Sequence, residues 1–355
     1  MKILFIFPYP QATAASQRFR FEQYLPLLSV KGIAYTLSPF VDEYTWQILY
    51  KKGYTLQKLT GILKGFLRRT ILLFTVNQYD FVFIHREASP IGPPIFEWLI
   101  ANILRKRIIY DFDDAIWLPN TSDNNKIASG LKWHHKTAAI CRWAYKVSAG
   151  NIYLAEYARQ YNAKAAVNPT TIDTIHLHNQ VKNQHTAQLV IGWTGTHSTI
   201  GYLDGIIPVL QDLEKKYAFI FLVISDKKPD FKLDCLQYLP WNKETEIADL
   251  LRINVGIMPL TDDKWARGKC GFKALQYMAL GIPALVSPVG VNTEIVDNGI
   301  NGFVCNSNAD WKQHICTLLQ NNMLREHMGS AAREKVEKYY SVQANCRNFL
   351  DFFTD

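Results

Sequence analysis

The chain has 355 residues, 48% apolar and 20% charged, with 39 basic against 31 acidic side chains and a formal net charge of +8. That length exceeds one ordinary compact domain and that composition is ordinary for a globular protein, so disorder and fibrous structure are excluded and two domains are expected. The positive balance suits anionic partners such as nucleotide phosphates or acidic lipid headgroups, or merely keeps the protein soluble; with no recognition motif beside it, no nucleic-acid partner is expected.

Residues 2–7 are a short apolar run stopped by Pro8, too short for a secretory segment, and they predict a first buried strand. No run of about 18 apolar residues follows, so no membrane-spanning helix is expected. Residues 17–30 have helical spacing and stop before Gly32. The 46–74 stretch combines Lys51, Lys52, Lys58, Lys64, Arg68 and Arg69 with Trp46, Leu49, Leu56, Leu59, Leu63, Phe66 and Leu67. Such a basic amphipathic segment suits an anionic membrane surface, and equally a helix packed on a sheet. Residues 80–84, 107–112 and 145–149 predict strands and 153–161 a helix. The alternation implies parallel βαβ units.

The pattern restarts after a turn-rich seam at 166–184: strands over 188–193, 219–224, 255–258 and 283–287, and helices over 201–216, 244–252 and 273–280. The aromatic 341–353 stretch predicts a terminal helix. Six cysteines at 141, 235, 270, 305, 316 and 346 make no C-x-x-C pair and no zinc spacing with histidine. They predict reduced thiols in a cytoplasmic protein and no bound metal.

Two loops invite phosphate. In 262–290 a strand leads through Lys269-Cys270-Gly271-Phe272-Lys273 into a helix. A helix start has free N–H groups and partial positive charge, so lysines there are locally unfavourable unless an anion sits with them. The alternative is solvated surface charge. In 192–198, Gly195, Thr196 and His197 follow a strand and precede a helix, which suits close approach to a phosphate or a simple capping turn. On the first half, Asp111, Asp113 and Asp114 crowd the end of an apolar strand. Such crowding is costly unless it serves a site. Helix capping and a structural hydrogen bond are the other reading of Asp111 and Asp114. Arg86, also at a strand end, meets either a phosphate or acidic acceptor, or pairs with Glu87 or an aspartate of the 111–114 group.

The segment from Lys269 to Gly290, with Lys269, Lys273, Leu275-Gln276-Tyr277-Met278-Ala279, Gly281-Ile282-Pro283 and Val289-Gly290, then Glu294-Ile295-Val296 and Asn298-Gly299, resembles the donor-binding signature of family-four glycosyltransferases. So does the Ile191-Gly192-Trp193-Thr194-Gly195 opening. The resemblance spans nearly the whole chain and is most specific over 188–304. It implies a GT-B α/β architecture of two facing Rossmann-like domains with parallel sheets and an interdomain cleft. The domains would be 1–170 on the acceptor side and 185–337 for the donor, with 338–355 crossing back to the first. It implies a nucleotide-diphosphate sugar as co-substrate, no cofactor, no metal, and retention of configuration onto a glycan or lipid-linked acceptor. Donor-binding residues would be Gly195, Thr196, His197, Lys269, Cys270, Gly271, Phe272, Lys273 and Gln276. Asp113, in the place of a family histidine, and Asp114 would be the catalytic pair. Arg18 and Arg86 would lie on the acceptor side.

The chain departs from the pattern where the family has two glutamates, here Gly268 and Gln276, and where it has two glycines, here Ala14 and Ala15. Two other classes stay open: a nucleotide-sugar epimerase of the same architecture, and a non-catalytic relative binding a nucleotide sugar or a membrane.

Overall fold

A computed structural model describes residues 1–49, 51–119 and 133–354. They divide into two units, Met1–Thr170 with Cys346–Asp355, and Thr171–Asn345.

The first unit is built on strands β1 (Lys2–Phe7), β2 (Ala34–Pro39), β3 (Phe81–His85), β4 (Arg107–Phe112), β5 (Lys146–Ala149) and β6 (Ala165–Val167), ordered β2-β1-β3-β4-β5-β6. All pairs are parallel. A parallel sheet is covered on both faces, so its central strands are mostly apolar, and every residue of β3 is buried. The strand order turns back between β1 and β3, and open parallel sheets bind ligands beyond the strand ends at such a point.

The continuous helix expected over 17–30 is broken. Helix α1 (Ala15–Arg20) stops at Phe21, whose φ of −136° leaves the helix, and α2 (Leu25–Val30) restarts with proline in its first turn. Pro26 has no N–H to donate and fits only a helix start, so it sets the boundary. The 46–74 stretch is also two helices, α3 (Glu43–Leu49) and α4 (Thr55–Thr75), separated by left-handed Gly53 and Tyr54 at φ +79° and +59°. Short α5 (Ile95–Trp98), α6 (Lys136–Trp143) and α7 (Ile152–Arg159) complete this part, α7 capped by Asn151, whose side chain accepts the Leu154 N–H at 2.8 Å.

The second unit repeats the plan with β7 (Val190–Gly195), β8 (Ile220–Ser225), β9 (Leu236–Pro240), β10 (Val255–Met258), β11 (Ala284–Val286) and β12 (Gly302–Val304), ordered β12-β11-β10-β7-β8-β9. The turning point lies between β7 and β10, so the loops after these two strands emerge side by side. Its helices are α8 (Ile207–Glu214), α9 (Glu246–Leu250), α10 (Phe272–Ala279), α11 (Asn292–Ile295), α12 (Asn308–Gln320) and α13 (Asn322–Lys335). The helix expected over 201–216 begins only at Ile207, with Pro208 in its first turn. Trp193, Leu210, Val223, Ile257, Trp311 and Ile315 pack together as the core on one face of the sheet.

The last helix, α14 (Val342–Asp351), leads into the C-terminal aromatics of the first unit. Phe349 stacks on Tyr24 with centroids 4.2 Å apart, and Phe353 lies 5.8–6.4 Å from Phe5, Phe81 and Phe83.

Candidate functional site

In the second unit the loop after β10 ends at Lys269, and Gly271 at φ +67° caps α10. A left-handed N-cap is costly for any residue with a Cβ, and one at Gly271 would also overlap Ile295. The turn delivers Phe272 and Lys273 as the first two residues of an eight-residue helix with no acidic residue in its first turn. Lys273 Nζ lies 5.4 Å from the centroid of the Trp193 ring, and Lys269 Nζ the same distance from the Trp265 ring. These cation–π contacts hold both ammonium groups near the helix start, and the first ties α10 to β7. Cys270 is buried, its thiol directed to the Gly268 carbonyl at 3.8 Å.

Gln276 is 2% exposed, and its Nε2 amide has no protein acceptor. It lies three residues after Lys273, on the same helix face. A buried donor without a partner is costly, so its retention beside a cationic helix start suits a site that receives an acceptor atom. The next residue, Tyr277, fills space left by Gly256, and its hydroxyl accepts the Thr194 N–H at 2.9 Å. That bond fixes the end of β7 against α10. Tyr277→Phe strands a buried N–H, so unfolding should cost about 1–3 kcal/mol less, measured by denaturant titration. An unchanged midpoint contradicts this role.

The β7 loop is closed locally. Gly195 leaves room that a Cβ would contest with Trp193 and Thr199, Thr196 N–H donates to Thr199 Oγ1 at 3.3 Å, and the Thr196 and Ser198 hydroxyls are 2.8 Å apart. His197 is tied to Asp226 beyond β8, through its N–H at 2.6 Å and its Nδ1 at 2.5 Å.

In the first unit, the parallel register of β3 and β4 places His85 opposite Asp111. Both are fully buried. His85 Nδ1 is 2.7 Å from Asp111 Oδ2, and its Nε2 is 3.4 Å from the Ser16 hydroxyl. Arg20 donates to Asp111 and to the Asn168 carbonyl, and Ser148 donates to Asp111 Oδ1 at 2.6 Å. Burial alone would raise the Asp111 pKa, but the Arg20 charge and the His85 bond outweigh it and hold the carboxyl well below its usual range. Asp111 is thus the hub of a structural network.

Arg86 turns away from β3 in left-handed backbone, φ +60°, an uncommon conformation for a non-glycine residue. It is held by its N–H to the Asp111 carbonyl at 2.7 Å and by the Tyr110 hydroxyl to its own carbonyl at 2.9 Å. Its guanidinium bridges Asp113 at 2.7 Å and Asp114 at 2.6 Å. Burial works against its charge, yet the two carboxylates raise its pKa above the ordinary value. Of the two pairings open to Arg86, the aspartates are the partners; Glu87 pairs instead with Lys136 at 2.7 Å. Arg18 lies on α1, 9% exposed, its guanidinium 5.1 Å from the Phe19 ring.

The structure brings the end of β7 to α10 through Trp193 with Lys273 and Thr194 with Tyr277, and Arg86 to Asp113 and Asp114. Thr196 is engaged with its own loop and His197 with Asp226, and Arg18 lies on α1 beside the Phe19 ring. Sequence reasoning did not single out His85 with Ser148, nor Asp226. The only local signal for Asp226 was its position just after a strand. Among the described residues, no group of three or more His, Cys, Asp or Glu is arranged to hold a metal ion.

Residues 202–335 match the family model described as glycosyl transferases group 1. No curated protein matches the chain by sequence. Solved structures similar to it include sucrose-phosphate synthase (tll1590) from Thermosynechococcus elongatus, at TM-score 0.70 and 12% identity over 99% of this chain and 98% of that one. Anabaena Alr3699/HepE in complex with UDP-glucose is similar at TM-score 0.68 and 13% identity over 99% and 98%. The lipopolysaccharide outer core galactosyltransferase WaaB, apo form, is similar at TM-score 0.57 and 14% identity over 99% of each chain. Identities this low speak for the fold alone. The chain therefore has the α/β fold of GT-B glycosyltransferases, two parallel six-stranded sheets, and its 202–335 segment matches glycosyl transferases group 1.

Proposed function

We propose that the protein transfers a hexosyl group from a nucleotide-diphosphate sugar to a glycan or lipid-linked acceptor, with retention of configuration and without a resident cofactor or metal. The observation that carries the reading is the start of α10: two lysines held over aromatic rings at a helix start with no acidic residue in its first turn, and the partnerless amide of Gln276 on the face of Lys273. That spacing suits a diphosphate at the helix end and a ribose hydroxyl one turn in. The family match over 202–335 and the UDP-glucose complex of a protein of similar fold support the same donor class.

In this reading the acceptor hydroxyl attacks the anomeric carbon on the face from which the diphosphate departs. The bond from carbon to the diphosphate oxygen breaks, and a diphosphate oxygen takes the acceptor proton. Lys269 and Lys273 stabilise the charge that grows on the leaving group. Asp113 and Asp114, both paired with Arg86, accept hydrogen bonds from sugar hydroxyls and orient them, and Arg18 serves the acceptor side.

The test is the melting temperature of the protein against UDP-, GDP- and dTDP-sugars, with Gln276→Leu beside it. At least one nucleotide sugar should stabilise the wild type. Gln276→Leu should be as stable as the wild type or more so without ligand, because it removes an unsatisfied buried amide. It should bind the same donor about fivefold more weakly, the loss of one hydrogen bond of about 1 kcal/mol. No stabilisation by any donor, or undiminished binding by Gln276→Leu, overturns the reading.

A further inference from the structure

Helix α4 (Thr55–Thr75) is amphipathic in the inverted sense. The side that seats on the protein carries Gly61, Gly65 and Arg69, one turn apart, and these three are buried. A Cβ on Gly61 would overlap Thr45, and one on Gly65 would lie 2.6 Å from the Phe40 ring, so the helix backbone itself is the packed surface. Arg69, 1% exposed, pins it: the guanidinium donates to the Ala88 carbonyl at 2.7 Å, Ser38 Oγ at 2.8 Å and the Phe7 carbonyl at 3.1 Å. Burial pushes its pKa down to about 9, so the helix is held by a costly charge where an apolar residue would be the ordinary choice.

Ile62, Phe66, Leu72 and Leu73 are half-buried, and six further apolar residues lie on the outside. Leu56, Leu59, Leu63, Leu67, Ile71 and Phe74 recur at three- and four-residue spacing and are each 52–83% exposed. At 1.5 Å per residue the stripe is roughly 27 Å long. A patch of this kind on a soluble surface marks an interaction site.

The charge pattern selects the occupant. No Asp or Glu occurs between Glu43 and Asp80, whereas Lys51, Lys52, Lys58, Lys64, Arg68 and Arg69 do. Arg69 is buried and Arg68 donates to the Pro39 and Phe40 carbonyls at 2.8 and 2.9 Å. Lys51, Lys52 and Lys64 are exposed, and Lys58 is half-exposed and bonded to the Lys51 carbonyl. A second copy of the helix would set cation against cation with no carboxylate in either face. Among the described residues no helix is long and apolar enough to cross a membrane.

We propose that α4 docks the protein on the surface of an anionic phospholipid bilayer, with the Leu56–Phe74 stripe lying in the headgroup region and the lysines against the lipid phosphates. This goes beyond the donor reading and does not depend on it.

The test is co-sedimentation of the full chain with vesicles of phosphatidylcholine alone and of phosphatidylcholine with phosphatidylglycerol. Binding should be at least tenfold tighter to the anionic vesicles. It should fall more than tenfold in Leu63→Gln/Leu67→Gln and in Lys51→Gln/Lys52→Gln/Lys64→Gln, whose unligated melting curves should match the wild type because all these positions are exposed. Hydrogen exchange on the wild-type chain gives a second readout that needs no variant: anionic vesicles should slow exchange over residues 55–75. Equal binding to both vesicle types, binding that survives both variants, or no change in exchange overturns the proposal. So does a dimer in sedimentation equilibrium that Leu63→Gln/Leu67→Gln dissociates, which would make a second copy the occupant.

Discussion

Asp111→Ala should lower the melting temperature of the first unit by roughly 6–20 °C, the largest stability effect expected of any single substitution discussed. The carboxylate is fully buried and is the shared partner of Arg20, His85 and Ser148. Removing one member of a buried ion pair leaves the other uncompensated, at a cost of about 3–5 kcal/mol. For a unit of this size each kcal/mol moves the midpoint by roughly 2–4 °C. The pH dependence has a definite sign. The folded pKa of Asp111 is depressed, so the unfolded chain binds the proton more readily. The stability contributed is therefore present above the ordinary carboxylate pKa of about 3.9 and is lost as pH falls below it toward the folded value. The acid limb of the stability profile should be shallower in Asp111→Ala than in the wild type. Calorimetry resolved for the two units measures both effects. A midpoint within two degrees of wild type contradicts the assigned role.

The second large effect concerns the donor. Lys269→Ala and Lys273→Ala should each weaken nucleoside-diphosphate binding about 10- to 150-fold, since a hydrogen bond to a charged group contributes about 1.5–3 kcal/mol. The double variant should lose more than either. Stability should change little, because the repulsion between a lysine and the helix start, about 0.3–1 kcal/mol, is offset by the contact each lysine makes with Trp265 or Trp193. Calorimetric titration of UDP-glucose beside unligated melting curves separates the two. Weaker binding with a nearly unchanged melting temperature is the pattern of an anion site. Equal affinity in the double variant would return both lysines to the status of surface charge.

Much of the fold was legible where burial on both faces forces a continuous apolar run. The expected strands at 2–7, 107–112 and 255–258 coincide with β1, β4 and β10. The strands passed over are those with weak patterns. β2 and β9 are edge strands that are only partly buried, and β6 and β12 are edge strands of three residues. The α10 start was legible because its chemistry is local, Gly271 between two lysines. The Asp111 network was not, because Arg20 and Asp111 are 91 residues apart and only the β3–β4 register brings His85 alongside. The outward stripe of α4 was half legible. Its amphipathicity is in the sequence, but which face the protein takes depends on Phe40 and Thr45 pressing against glycine.

The most direct test of the central claim is release of nucleoside diphosphate from a panel of UDP-, GDP- and dTDP-sugars by the wild type and by Lys269→Ala/Lys273→Ala. One donor should be consumed, with one nucleoside diphosphate formed per sugar transferred or hydrolysed, and the double variant should lose this activity while remaining folded. If no donor is bound or consumed, or if the double variant turns over as the wild type does, the sugar-transfer reading and its donor site are both wrong.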